Sequence, residues 1–251
     1  MCLVVFSINH LQQYKLILAA NRDEYYKRKS LSFDWYEFDH DTLLAPRDLE
    51  AFGSFFGITK KGKLAFLTNY RNPYLLKTDA PSRGLIVWDY LTKNIDEKKF
   101  IKNIQPEKFN PFNFVFGTID ELYYFSNINK KLLKIKNGIH TLSNSFIDAN
   151  WPKTQKAKIN FQNIISSTKN QNTLIDSLLE MLHDTTKFKD NLPNTGIDKA
   201  FEIELSSIFV KTQNYGTQYS YVLIIDNNNK AILTEENHMQ KTKETFIFEI
   251  T

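Results

Sequence analysis

Met1-Cys2-Leu3-Val4-Val5-Phe6-Ser7-Ile8 opens the chain, Asn9-His10-Leu11-Gln12-Gln13 follows as a polar break, and Tyr14-Lys15-Leu16-Ile17-Leu18-Ala19-Ala20 leads into Asn21-Arg22-Asp23-Glu24. The two apolar runs, Leu3–Ile8 and Tyr14–Ala20, are rich in β-formers, and the pattern predicts a β-hairpin. With a two-residue loop at Leu11-Gln12, His10 faces Gln13, Phe6 faces Ile17 and Cys2 faces Asn21. A slip of one or two residues sets Cys2 beside Arg22 or Asp23 instead. Either way, the start of the chain is expected against a strand end dense in charged and polar groups.

That neighbourhood has a chemistry. Removal of Met1, common ahead of a small residue, makes Cys2 the first residue, with a thiol and an α-amine in one place. An α-amine with a reference pKa of about 7.7–8.0 can serve as the base for its own side chain. Arg22 can lower the thiol pKa or hold a substrate carboxylate, and Asp23 can orient the α-amine. The bland alternative is a small apolar residue at a chain end, beside a solvated turn.

Working outward, Phe55–Ile58 and Leu64–Asn69 bracket Lys60-Lys61-Gly62-Lys63, a second hairpin with Gly62 in the turn. Ser82 is a plausible N-cap for a helix through Leu85–Leu91, and a short helix is expected over Asp96–Ile104. Phe112–Thr118, Leu122–Asn127 and Lys131–Lys136 read as strands, with Asn137-Gly138 as a tight turn before Ile139–Leu142. After Trp151-Pro152 the period changes to that of a helix. Ala157, Phe161, Ile164 and Ile165 share one face, and Leu174, Leu178, Met181 and Leu182 another, which predicts helices over Lys153–Ser167 and Asn172–His183. Strands return at Ser206–Lys211, Gln218–Asp226, Lys230–Glu235 and Thr245–Ile250. Grouped helices between antiparallel hairpins exclude a doubly wound parallel sheet and predict a layered α+β domain spanning residues 1–251.

Composition narrows the function classes. Hydrophobic residues at 42% and aromatics at 14% support a packed core rather than disorder. The net charge of +4 is scattered over residues such as Lys60, Lys61 and Lys63, so no nucleic-acid surface is indicated. No apolar run approaches the ~20 residues of a membrane-spanning helix, and no signal peptide is read. With its one cysteine, the chain has neither an internal disulfide nor a cysteine-based zinc cage. A cytoplasmic location is the simplest expectation. The aromatics are too dispersed to indicate an oligomer interface.

Met1-Cys2 with Ala19-Ala20-Asn21-Arg22-Asp23-Glu24 resembles the signature of the NRDE family, the transport-and-Golgi-organisation group named for those four letters. The resemblance continues through Thr68-Asn69-Tyr70-Arg71, Ser82-Arg83-Gly84, Leu142-Ser143-Asn144-Ser145, Trp151-Pro152-Lys153, Ser206–Val210, Tyr215-Gly216-Thr217 and Val222–Asp226. These blocks are individually weak; together, in family order, they are specific. The family is similar in turn to N-terminal-nucleophile (Ntn) cysteine hydrolases such as penicillin V acylase and bile-salt hydrolase. That implies a four-layer αββα sandwich of two antiparallel sheets.

Carried onto this chain, the resemblance implies Cys2 as nucleophile, Arg22 and Asp23 attending it, and Asn69 and Asn144 as oxyanion donors. A well-aimed oxyanion donor is worth ~10²–10³ in rate. Asn21, Glu24, Arg71 and Arg83 are the candidate substrate-binding groups. There are departures. The acylases separate their Arg and Asp, whereas Arg22 and Asp23 are adjacent, and Gln218 stands where many relatives carry an Arg after Tyr-Gly-Thr.

Three functions stay open at this point: a cysteine amidohydrolase on a small-molecule amide, needing no cofactor; a haem carrier, implied by family association alone; and a retained fold without chemistry. His10, His40, His140 and His238 show no ligand spacing, and His183-Asp184 is read as a helix C-terminus, so no metal is expected.

Overall fold

The structure is a computed structural model that describes residues 3–251. The opening hairpin forms as β1 (Leu3–Leu11) and β2 (Tyr14–Tyr25), but its register differs from the expected one by a residue. Leu3 pairs with Asn21 and Phe6 with Leu18, because Gln12-Gln13 make the loop and a bulge lies between Ile8 and Leu11. Asn9 occupies that irregularity at a φ of 44°, a left-handed conformation that asparagine tolerates better than most residues. Cys2 itself lies outside the described residues.

Two strands not read from the sequence follow, β3 (Ser30–Phe38) and β4 (Asp41–Asp48). Then comes the second hairpin, β5 (Phe56–Thr59) and β6 (Lys63–Asn69), with Gly62 at a φ of +81° in its turn. Helix α1 (Gly84–Thr92) starts at Arg83 without a side-chain cap, so Ser82 contributes its carbonyl to Leu85 rather than a capping hydroxyl. Helix α2 (Glu97–Asn103) is capped by the Asp96 side chain on Lys99 N–H. Strands β7 (Phe112–Thr118), β8 (Glu121–Ser126) and β9 (Leu132–Lys134) come next, and β10 (Gly138–Leu142) joins the other sheet.

Helices α3 (Pro152–Ser167) and α4 (Gln171–Leu182) lie within a residue or so of expectation, and Pro152 sits in the first turn where its missing N–H costs nothing. A short helix α5 (Lys199–Glu204) precedes β11 (Tyr215–Asp226), β12 (Lys230–Asn237) and β13 (Thr242–Glu249). Ser206–Lys211 is not a strand; only Lys211 makes an isolated bridge, to Gly216. The serine hydroxyls there bond locally, Ser206 to the Ile203 carbonyl and Ser207 to the Phe209 carbonyl. Such local bonds compete with a ladder.

One sheet has the order β10-β1-β2-β11-β12-β13 and the other β3-β4-β5-β6-β7-β8-β9, with every pairing antiparallel. Alternation along the strands feeds three cores. Val4, Phe6, Leu18 and Tyr221 meet Leu44, Phe56, Phe66 and Val115 between the sheets. Val5, Ile17 and Ala19 pack outward against Phe161, Leu178 and Leu182 of α3 and α4. Ala65, Phe114 and Phe116 pack outward against Ile86, Tyr90 and Phe100 of α1 and α2. Helices, sheet, sheet, helices: this is the αββα sandwich.

Candidate functional site

The two-residue period of β2 decides which way its polar end points. Leu16, Leu18 and Ala20 face the inter-sheet core, and Ile17 and Ala19 face the helices. Asn21 continues the helical side. It is fully buried, its Nδ2 donating to the carbonyls of Leu182 at 2.9 Å and Ile208 at 3.0 Å, while its Oδ1 accepts from Ser220 Oγ at 2.7 Å. The expected substrate contact at Asn21 is therefore a bracket that ties β2 to the end of α4.

Arg22 turns to the other side. Its Nη1 donates to Gln218 Oε1 at 2.6 Å, its Nη2 lies 3.7 Å from Asp48 Oδ2, and its guanidinium stands 4.6 Å over the Phe55 ring. Gln218, where relatives implied an Arg, is thus the neutral acceptor for Arg22; a second guanidinium there would place like charges side by side. Asp23 Oδ1 accepts from Thr217 Oγ1 at 2.6 Å. Glu24 accepts from its neighbour Tyr25 N–H and lies 3.9 Å from Arg28.

Asp48 and Arg28 belong to the site although no motif marked them. Arg28 grips Asp48 with Nε at 2.8 Å and Nη2 at 3.2 Å, and Ala51 N–H donates to the same carboxylate at 2.8 Å. Burial pushes the Asp48 pKa up. The Arg28 hydrogen bonds, the Ala51 N–H and the charges of Arg28 and Arg22 outweigh it, and the net shift is down. Asp48 is held as a carboxylate between two guanidiniums.

These residues line a cleft of about 290 Å³, in which Arg22, Asp23, Glu24, Arg28 and Asp48 are joined by Ser54, Phe55, Asn69, Ser82 and Arg83. A second compartment of about 270 Å³ is lined by Tyr25, Arg71, Leu76, Asn144, Phe201 and Tyr215 among others. Asn69 and Arg83 line both. Asn69, at the end of β6, makes no side-chain hydrogen bond among the described residues. Asn144 differs: its Nδ2 donates to the Asn69 carbonyl at 3.0 Å and its Oδ1 accepts from Arg71 Nη2 at 3.1 Å. Arg71 also pairs with the buried Glu202 at 2.7 Å, and Arg83 Nη1 donates to the Pro111 carbonyl at 2.9 Å. Asn144 and Arg71 thus brace the wall that carries Asn69.

The turn carrying Asn144 is clamped at its base. Asp148 accepts from His140 Nδ1 at 2.8 Å and from Thr141 N–H at 2.9 Å, and Asp148 N–H donates to the Thr141 carbonyl. Burial lowers the His140 pKa, but the Asp148 carboxylate and the Lys136 carbonyl outweigh it, and the net shift is up; Asp148 is shifted down. His140 therefore stabilises the fold below its unfolded pKa, an increment lost as pH rises through the folded value. Asp148 does so above its own unfolded pKa, an increment lost as pH falls through its folded value. Both act between about pH 4 and 6.5. Asp148→Asn is expected to cost ~1 kcal/mol near pH ~5.5 and less near pH ~8.5, the partial exposure of Asp148 keeping the figure small. Urea unfolding at the two pH values checks this; an equal cost at both would remove the charge from the account.

Sequence reading expected no metal site. The fold nonetheless brings His183, at the end of α4, together with Glu236 and His238 at the end of β12, one ligand atom of each lying within 4.8 Å of the others. Glu236 and His238 share a strand-period spacing, a local signal that the histidines alone did not give.

The two facing antiparallel sheets, the outer helices and the cleft at the end of β2 define a sandwich of Ntn-hydrolase type. A solved variant of the conjugated bile acid hydrolase from Clostridium perfringens is similar to it, with a TM-score of 0.50 at 10% identity over 98% of this chain and 92% of that one. At that identity the likeness is one of fold. The chain belongs to the Transport and Golgi organisation 2 family, whose pattern matches residues 1–240. It is 28% identical to the Transport and Golgi organization 2 homolog of Mus musculus, over 100% of this chain and 99% of that one. Against the Transport and Golgi organization protein 2 of Drosophila melanogaster the identity is 30%, over 94% and 92%. The family read from Asn21-Arg22-Asp23-Glu24 is borne out. No helix among the described residues is long and apolar enough to cross a membrane.

Proposed function

We propose that the cleft is the site of an Ntn-type cysteine amidohydrolase acting on a non-peptide C–N amide of a small molecule, with Cys2 as nucleophile. The observation that carries this is the pairing of Leu3 with Asn21, which brings the start of β1 to the strand end whose Arg22, Asp23 and Glu24 line the cleft. In the proposed reaction the α-amine of Cys2, freed by loss of Met1, takes the thiol proton, and the thiolate adds to the amide carbon. The oxyanion that develops is met by the Asn69 amide, which has no competing partner among the described residues. Collapse breaks the C–N bond and expels the amine, which takes the proton. Water then hydrolyses the thioester, releasing the acid and restoring the thiol. Arg22, held by Gln218 and Asp48, supplies positive charge toward the thiol or a substrate carboxylate.

The fit of haem is weaker. None of the five histidines in the chain lines either compartment, and the first sets the charged Arg22, Asp23, Glu24, Arg28, Asp48 and Arg83 beside a few apolar side chains such as Phe55 and Leu67. Tyr25 and Tyr215, 5.2 Å apart, are the axial-ligand types at hand in the second compartment.

The test is the natively started protein, weighed intact before and after a thiol reagent and then assayed on a panel of N-acyl amides. Loss of Met1, labelling at Cys2 and turnover that disappears in Cys2→Ala are expected. Turnover unchanged in Cys2→Ala ends the proposal. An inert thiol together with a saturable Soret shift on haem titration would favour the carrier reading instead.

A further inference from the structure

His183, Glu236 and His238 come from two elements on the far side of the sheet from the cleft, and their contacts fix more than proximity. His183 Nε2 lies 2.7 Å from Glu236 Oε2, and the two imidazoles stand 5.3 Å apart, edge to face at 78°. Phe209 packs against both rings, at 6.0 Å and 4.9 Å, and gives them a common apolar wall. Behind His238 runs a relay. Asn21 Nδ2 donates to two carbonyls, so its Oδ1 is the acceptor for Ser220 Oγ–H at 2.7 Å. With its only hydrogen directed to Asn21, Ser220 Oγ must accept from His238 Nε2, 2.8 Å away. The proton of neutral His238 is thereby placed on Nε2, and the lone pair is left on Nδ1. An imidazole whose one nitrogen donates to a fixed acceptor, leaving the other as a base, is the arrangement that orients metal-binding histidines.

We propose that His183, Glu236 and His238 form a binding site for one divalent transition-metal ion of the zinc type, with His238 ligating through Nδ1. Two imidazoles and one carboxylate are the donor set of a borderline ion that leaves a position open to water. Magnesium and calcium prefer oxygen donors throughout. Bonds of about 2.0–2.1 Å require the His183–Glu236 hydrogen bond to open and the widest of the three separations to close. Both changes are side-chain rotations: His183 caps its helix through its backbone and Glu236 is half-buried. Lys243 Nζ, 3.9 Å from Glu236 Oε1, already pairs with Asp176 at 2.8 Å and can withdraw to it as the ion's charge arrives. A bound ion would clamp α4 to β12 and, through Ser220, tighten the Asn21 bracket. The site lies apart from the cleft and is independent of the thiol chemistry proposed there.

The experiment uses the full chain, freed of metal with a chelator and then titrated with Zn²⁺ and, separately, with Co²⁺. One Zn²⁺ per chain is expected, with a rise in Tm of about 5 °C or more at saturating metal. The Co²⁺ form is expected to show d–d absorption of a nitrogen- and oxygen-ligated ion without a thiolate charge-transfer band. Glu236→Gln, nearly isosteric, is expected to weaken binding at least tenfold, and His183→Gln with His238→Gln to abolish it while the circular dichroism is unchanged. Binding that survives the double variant, a thiolate band in the Co²⁺ spectrum, or no saturable binding by the wild type would each overturn the proposal. Should the double variant misfold, the wild-type Co²⁺ spectrum and Glu236→Gln decide between the same outcomes.

Discussion

Replacing Gly53 by alanine is expected to lower stability by about 3 kcal/mol and to deform the cleft as well. A Cβ built at Gly53 falls on backbone, below 3 Å from the carbonyl carbon and oxygen of Gly84 and from Leu85 N. Backbone cannot rotate out of the way, so α1 must shift. With it goes the hydrogen bond from Ser54 N–H to the Gly84 carbonyl, 3.0 Å long. That bond holds the start of α1 against the segment entering β5, and Ser54, Phe55, Arg83 and Gly84 all line the cleft. Gly57→Ala is the control. Its Cβ also meets an atom closer than 3 Å, but that atom is the Leu91 Cδ1 at the tip of a side chain. Leu91 and Leu43, whose Cδ1 lies at 3.1 Å, can turn aside, and the Ala45 Cβ at 3.2 Å must give by a few tenths of an ångström, so the cost is expected at about 1–2 kcal/mol, below that of Gly53→Ala. Denaturant unfolding of the two variants checks the difference. Equal losses would mean that the Gly53–Gly84 approach is no tighter than ordinary packing.

That contact also marks where the sequence stops being legible. Ser82-Arg83-Gly84 stood out as a motif, but nothing local says that Gly84 lies against Gly53, because the approach exists only once α1 docks. β1, β2, β6 and β7 were plain as near-continuous apolar runs, since those strands are central and buried on both faces. β3 alternates weakly, with Asp34 and Glu37 among its residues and mostly partial burial, as befits an edge strand; its partner β4 carries Pro46 and went unread with it. In the opening hairpin the pattern gave the strands but not the bulge, and one residue of slip moved every pair. The same limit applies to the site. Arg22, Asp23, Glu24 and Asn69 were marked by motif and do meet in the cleft, while Asp48 and Arg28 enter through β4 and the turn after β2. Asn21, from the same motif, serves the opposite face, where the Leu182 and Ile208 carbonyls hold its amide.

Asp48→Ala is the second large effect, expected at about 3 kcal/mol, because it leaves one nearly buried cation without its counter-ion. Arg22 is 3% exposed. Without Asp48 its remaining polar contact at hydrogen-bond distance among the described residues is the neutral Gln218 oxygen, and the Phe55 ring offsets only part of the loss. Arg28, with a third of its side chain in solvent, can turn outward to Glu50 or Glu24 and loses less. The turn at Glu50 and Ala51 loses the acceptor for two backbone N–H groups. For a chain of this length the loss corresponds to a fall in Tm of roughly 6–12 °C. Asp48→Asn separates the contributions: it keeps an oxygen for the turn but not the charge, so it should fall between wild type and Asp48→Ala. The decisive comparison is Asp48→Ala with and without Arg22→Leu. If the stranded guanidinium is the main cost, removing it recovers stability, and the double variant is more stable than Asp48→Ala alone. Additive losses would instead assign the cost to the turn, and Asp48 would then be a cap for residues 49–51 rather than the anchor that aims Arg22 into the cleft.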